Sequence, residues 1–266
     1  MPSLLSLLCS LLILFNFNTT TLEAAQENNW KGVTCSTKFP PRVVSLNLTS
    51  ARLSGQISGC VGNLTFLSSM NLADNDLSGT IPGELGKLPN LHTLNLSNSN
   101  FEGNIPDSLG TSNSLSYVNL GNNTLTGGIP LSFTNCSSLN TLILSRNNLS
   151  GEIPSTLFDN LSKLTKVDLQ KNSFTGLIPR FRKVTALKFL CLTENFLSGS
   201  IPPSIGNVSS LTSILLGQNM LSGLIPETVG HTTKLLELDL SFNSFSGSVP
   251  LSISYWSRYK QDSFTT

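Results

Sequence analysis

Laid out in rows of 24, the chain places apolar residues at the first, fourth and sixth position of every row: Leu91, Leu94 and Leu96 in one, Leu164, Val167 and Leu169 in another. Nine rows, numbered here as repeats 1 to 9, start at Val43, Leu67, Leu91, Leu115, Leu139, Leu164, Leu187, Leu211 and Leu235; the fifth carries one extra residue and the sixth one fewer. Each of these apolar positions is Leu, Ile, Val or Met, which fixes the register. Apolar residues two apart lie on one face of a short strand, with the intervening residues on the other. One such strand cannot bury its face alone. Stacked at about 4.8 Å, successive strands form a parallel sheet over one continuous core.

The ninth position carries Asn75, Asn123, Asn147, Asn172, Asn195, Asn219 and Asn243. An inward Asn both donates and accepts, so the column predicts satisfaction of backbone groups that a tight turn leaves open. Ala51 and Ser99 interrupt it, and Ser99 is expected to retain a smaller share of that bonding. Four positions later every row has Gly, and repeats 2 to 9 follow with Ile-Pro or Val-Pro. Gly permits backbone shapes closed to other residues, and Pro, lacking an N–H, ends a short second strand soon after it begins. What remains of each row, such as Glu84 to Leu88, predicts single helical or 3₁₀ turns on the opposite, convex side.

At the amino end, Leu4 to Phe17 is an apolar run too short to span a bilayer and followed by small residues at Ala24 and Ala25, which reads as a signal peptide over 1–24. No later run of about 18 apolar residues occurs, so the chain as given has no membrane span. The leader contains one acid, Glu23, and no Lys or Arg, so the mature chain is one unit more positive than the +1 of the whole. So weak a bias argues against a nucleic-acid partner. Charged residues are only 12% of the chain, as expected for polar turns around a leucine core. Cys35, Cys60, Cys136 and Cys191 remain after cleavage, at spacings matching no zinc or CxxC pattern. Cys136 reads as a small buried hydrophobe and Cys191, at a strand position, as an exposed thiol.

LxxLxLxxNxLxGxIPxxLGxL resembles the plant-specific leucine-rich repeat, and WKGVTC followed by RVVSLNL resembles the junction between the N-terminal cap and first repeat of plant leucine-rich-repeat receptor kinases. The resemblance implies an α/β solenoid: a right-handed leucine-rich-repeat superhelix with a parallel concave sheet, about nine repeats over 43–256, a partial cap at 25–42 and a non-repeat tail at 257–266. It implies secretion to the extracellular space, the apoplast or the cell surface, and a peptide or protein ligand, with a co-receptor or full-length receptor kinase as partner, in plant defence or development. The rival readings are a secreted inhibitor of microbial wall-degrading enzymes such as polygalacturonases, and a receptor fragment without a role of its own. The cap of that family reads CxWxGVxC with its cysteines bridged; here Asn28 replaces the first, leaving Cys35 to pair with Cys60, to stay free or to join another chain.

In such solenoids the variable strand positions face the concave, recognising side. Across the middle rows these are Tyr117, Ile143, Arg146, Lys166, Asp168, Lys171, Lys188, Phe189, Glu194 and Leu215, whereas the flanking rows offer mostly Ser, Thr and Asn. The expected ligand site is Tyr117, Arg146, Lys166, Asp168, Lys171, Lys188, Phe189 and Glu194, suited to a ligand with acidic groups. In the mature chain sequons lie at Asn47, Asn63, Asn95, Asn122, Asn135, Asn148, Asn160 and Asn207. Of these, Asn63, Asn135, Asn160 and Asn207 recur near one convex edge and are the favoured glycan sites, while Asn47 and Asn95 fall on the concave sheet. Catalysis is not expected. His92 could neighbour Ser68 or Ser116, but that is no triad without an orienting acid and an oxyanion site. There is no GxSxG, HExxH or phosphate-binding loop, and no cofactor or metal site is expected.

Overall fold

The computed structural model describes residues 31–38 and 41–254, without the side chain of Ser254. The signal peptide at 1–24, Trp30 and Asn28 of the cap, and the tail at 257–266 lie outside the described residues.

The nine LxxLxL segments, with one strand before them, form a ten-stranded sheet. Its first strand, Val33–Cys35, runs antiparallel to Val43–Asn47; the next eight, from Ser69–Asn71 to Glu237–Asp239, add in sequence order, each parallel to the last. Equivalent positions of neighbouring repeats are strand partners, as Thr141↔Lys166 and Lys166↔Phe189 show. The antiparallel first strand covers the open edge of repeat 1, and Val33 and Cys35 pack against the core there.

The opposite wall is built of one-turn helices: 3₁₀ turns such as Gly83–Lys87 and Pro203–Asn207, and four-residue α turns such as Asp107–Gly110. They stack closely. A Cβ on Gly206 would lie 2.2 Å from the Thr228 carbonyl oxygen, so this contact requires glycine. Between sheet and turns runs a single apolar core in which Phe101, Phe133, Phe158, Phe174 and Phe181 are fully buried. The extra residue of repeat 5 and the missing one of repeat 6 compensate each other. Phe158, in the turn Leu157–Asn160, stacks on Phe181 with centroids 4.5 Å apart, and its carbonyl accepts from the Lys183 and Val184 amides where repeat 6 has no helical turn.

The second strand of each repeat, followed by proline in repeats 2 to 9, joins short lateral sheets: Ser54–Gln56 to Thr124–Thr126, Ser150–Glu152 with Ser173–Thr175, and Ser198–Gly199 to Ser244–Ser246. Each repeat's Gly there has φ between +71° and +95°, a left-handed shape that glycine adopts freely.

The Asn column is a ladder. Asn172 accepts at Oδ1 from the Leu149 amide (3.0 Å) and donates through Nδ2 to the carbonyls of Leu144 (3.0 Å) and Leu169 (3.1 Å). Asn75, Asn123, Asn147, Asn195, Asn219 and Asn243 repeat this, each clamping its own turn to the preceding repeat. Repeat 3 breaks it completely. Ser99 retains no share of the bonding, because its Oγ is buried without a hydrogen-bond partner: the hydroxyl is too short to bridge two turns.

Candidate functional site

The solvent face of the ten-stranded sheet carries the residues that the core pattern leaves free. Tyr117, Lys166 and Phe189 occupy the third position of repeats 4, 6 and 7 and are half-buried. Lys166 Nζ lies 4.8 Å from the centroid of Phe189, its strand partner, in a cation–π contact. Lys188 precedes Phe189 and is exposed.

The eighth position forms a rim beside these strands. Its residues, Ser50, Asp74, Asn98, Asn122, Arg146, Lys171, Glu194, Gln218 and Phe242, all have φ between +50° and +58°. The amide of each from Ser50 to Gln218 donates to a carbonyl of the next repeat, as Lys171 does to Thr193, and repeats 1 and 3 keep the geometry without a ladder Asn. Lys171 Nζ reaches Glu194 Oε1 at 3.2 Å across one repeat, while Arg146 is exposed and joins none of the ion pairs among the described residues.

The fifth position departs from expectation. Cys191 is not an exposed thiol but is buried at 1% exposure, and Asp168 is also buried, at 8%. The side chain of Cys191 is short and stands between those of two strand partners, Asp168 and Leu215, in the sheet. Its Sγ contacts Thr193 Oγ1 at 3.7 Å. Burial pushes its pKa up, and the charges of Asp168 and Asp239 push the same way against hydrogen bonds from Thr193. Asp168 is raised by burial too, opposed by the Gln170 amide and the Lys166 charge. As a ligand contact Asp168 is therefore recessed, acting on its neighbours more than on solvent.

Away from this face, Cys136 is buried with Sγ 3.2 Å from the Gly110 carbonyl, and burial pushes it up to about 11. Cys35 and Cys60 are unbridged thiols, half-buried and exposed. His92 and Ser116 do meet, but through the backbone: Ser116 Oγ donates to the His92 carbonyl, and the ring nitrogen Nδ1 lies against the Asn90 carbonyl. Among the described residues no three His, Cys, Asp or Glu side chains converge on one point. The favoured sequon residues Asn63, Asn135, Asn160 and Asn207 each end a convex turn and are exposed. Asn47, Asn122 and Asn148 are exposed as well, whereas Asn95 is half-buried and accepts at Oδ1 from Ser97.

One part of the surface escaped the reading of strand positions. Phe196, Met220 and Phe242 are 51%, 54% and 62% exposed and, with Asn195, Gln218 and Asn219, line an open cleft of about 480 Å³ at the outer margin of the rim in repeats 7 to 9. The signal was available in the row alignment. Position ten changes from Asp76, Asn100, Thr124, Asn148 and Ser173 to Phe196 and Met220, and position eight ends on Phe242.

Stacked LxxLxL strands, an Asn ladder and an open sheet face define a leucine-rich-repeat solenoid. The chain belongs to the leucine rich repeat family, whose model matches residues 66–88, 90–112, 114–136, 138–160, 186–208 and 234–256. No curated protein matches it by sequence. Among solved structures it is similar to the ectodomain of the plant membrane receptor kinase GASSHO1/SCHENGEN3 from Arabidopsis thaliana in complex with CASPARIAN STRIP INTEGRITY FACTOR 2, at 32% identity and TM-score 0.89 over 96% of this chain and 31% of that one. It is also similar to the Arabidopsis receptor kinase HAESA in complex with the peptide hormone IDA and the co-receptor SERK1, at 31% identity and TM-score 0.73 over 92% of this chain and 46% of that one. The chain thus spans less than half the length of these receptor chains. A plant ice-binding protein is similar at 25% identity and TM-score 0.70 over 92% of this chain and 87% of that one, so the same architecture serves unlike tasks and the role has to be read from the surface. No helix among the described residues is long and apolar enough to cross a membrane.

Proposed function

We propose that the chain is a non-catalytic extracellular recognition module whose sheet face binds a peptide; the similar receptor kinase HAESA is in complex with a peptide hormone. The observation that carries this reading is the concentration of Arg146, Lys166, Lys171 and Lys188 with Tyr117 and Phe189 on one face of repeats 4 to 7, where the flanking repeats 1 to 3 present mostly Ser, Thr and Asn and neither Lys nor Arg. A cationic, aromatic strip on a backbone held by the Asn ladder suits an acidic ligand: charge sets orientation, and the rings supply contact area that needs little ordering. Export and glycosylation at Asn63, Asn135, Asn160 and Asn207 belong to the same reading, as does a co-receptor or full-length receptor kinase as partner.

Selection of a random linear dodecapeptide library on the immobilised protein tests it. Acidic sequences are expected to enrich and to be lost from a Lys166→Glu, Lys171→Glu, Lys188→Glu variant with an unchanged melting temperature; equal enrichment on both proteins removes the site. Inhibition of secreted polygalacturonases by the wild-type chain would instead favour the inhibitor role.

A further inference from the structure

The rim of position eight changes character halfway along the solenoid. At position eight the left-handed backbone is occupied in repeats 1 to 4 by Ser50, Asp74, Asn98 and Asn122, with Arg52 also left-handed two residues beyond the rim, and in repeats 5 to 9, at the same φ, by Arg146, Lys171, Glu194, Gln218 and Phe242. Asn and Asp tolerate this conformation through local hydrogen bonds, whereas long and bulky side chains carry its cost uncompensated. Residues kept in a sparsely populated backbone region point to a task for their side chains. The same half of the molecule places Phe196 and Met220 beside that rim. Their backbones are pinned: the Phe196 amide donates to the Phe174 carbonyl, Met220 to Leu197, and the Phe242 carbonyl accepts from Asn219. The cleft is therefore a fixed apolar seat along the same rim as Arg146 and Lys171, which are one repeat apart, with Glu194 between them and the cleft.

We infer that this rim and its cleft bind an extended peptide at two points, an acidic side chain at Arg146 and Lys171 and an aliphatic or aromatic side chain between Phe196, Met220 and Phe242. The inference rests on the peptide-recognition reading and names the ligand class for it. Lys171 stands two repeats from Met220 and three from Phe242, or roughly 10 to 14 Å at the spacing of adjacent strands. An extended peptide advances about 3.3 Å per residue, so the two anchors should be separated by roughly three to four residues. Glu194, between the two points and paired with Lys171, disfavours a second acid in the intervening segment and so sets the polarity pattern of the ligand.

The probe is a set of fluorescein-labelled Gly/Ser nonapeptides carrying one Asp and one Phe at separations of one to seven residues, read by fluorescence polarisation. Affinity should peak at separations of three to four, at least tenfold above the extremes. Arg146→Glu with Lys171→Glu should abolish the peak, and Met220→Ser with Phe242→Asn should flatten it. The second pair is exposed, and replacing Phe by Asn at a left-handed position should raise the melting temperature, so lost binding there cannot be lost folding. Dependence on the charges alone, with no effect of separation or of the cleft pair, overturns the two-point mode while leaving acidic-peptide recognition standing. No binding by any spacing, with enriched dodecapeptides indifferent to the cleft pair, overturns it too. Failure of the dodecapeptide selection as well removes both readings.

Discussion

Repeats 1 to 4 and repeats 5 to 9 share one backbone but use it oppositely. The amino half fills the left-handed rim with residues suited to it, and Asn98 Nδ2 even bonds Asp74 Oδ1 at 2.6 Å, yet its inner ladder is broken at Ser99. The carboxyl half keeps an unbroken run from Asn147 to Asn243 and places Arg, Lys, Glu, Gln and Phe on the strained rim. A solenoid's stability is nearly a sum over repeats and their interfaces, so stability and display can be apportioned repeat by repeat. Side chains unsuited to the left-handed region persist where the surrounding hydrogen bonds over-determine it.

The sharpest way to break this contrast is at the ladder. Asn172→Ala leaves a buried amide and two carbonyls without their partner and should cost about 3 kcal/mol in urea unfolding. Ser99→Ala, at the matching position of the other half, removes only an unpartnered hydroxyl and should be neutral or stabilising by up to about 1 kcal/mol. Similar losses for both would show the ladder to be uniform after all.

Titration of the buried thiol comes next. The raised Cys136 pKa means that the folded state holds its proton more tightly than the unfolded chain, so its contribution is complete below the ordinary thiol value of 9.0 and is lost as pH rises through about 11. Stability should fall over that window by roughly 1.4 kcal/mol per pH unit, and Cys136→Ala should remove that slope. In the native protein at pH 8, iodoacetamide should modify Cys60 first, with Cys136 and Cys191 reacting only on unfolding.

Exchange of rim residues tests the contrast itself. Phe242→Asn should stabilise by about 1 kcal/mol and Asn98→Phe destabilise by a similar amount, measured as opposite shifts in urea midpoint. Equal signs would mean that the two halves do not differ in strain. The smallest effect belongs to the exposed Lys171 and Glu194 pair: Glu194→Gln should change stability by about 0.5 kcal/mol or less, and less again in high salt.

Much of this was legible in the sequence. The period placed Leu46, Leu94 and Leu142 on strands facing the core, and the ninth position announced the Asn ladder, because both follow from side-chain direction within one short element. The sites were legible only as columns. Arg146, Lys171 and Lys188 could be assigned to the open face, but that Lys166 sits over Phe189 and Lys171 reaches Glu194 depends on stacking that joins residues about two dozen apart. Cys191 was misread for the same reason: its strand position faces outward, but in the stacked sheet, between the strand partners Asp168 and Leu215, it is buried. Phe196, Met220 and Phe242 were missed because they lie beyond the LxxLxL strand, at positions eight and ten, where the row alignment shows the change to apolar residues but not that the three side chains meet.

By itself, then, the sequence determined the register, the parallel sheet, the core and the ladder, all of them consequences of a local pattern repeated often enough to leave one consistent stacking. The tertiary structure alone decided which polar residues of the open face stay accessible, where left-handed backbone carries unfavourable side chains, and that three apolar residues meet in one cleft. Those properties arise between repeats, where exposure and pairing depend on what the neighbouring turn supplies.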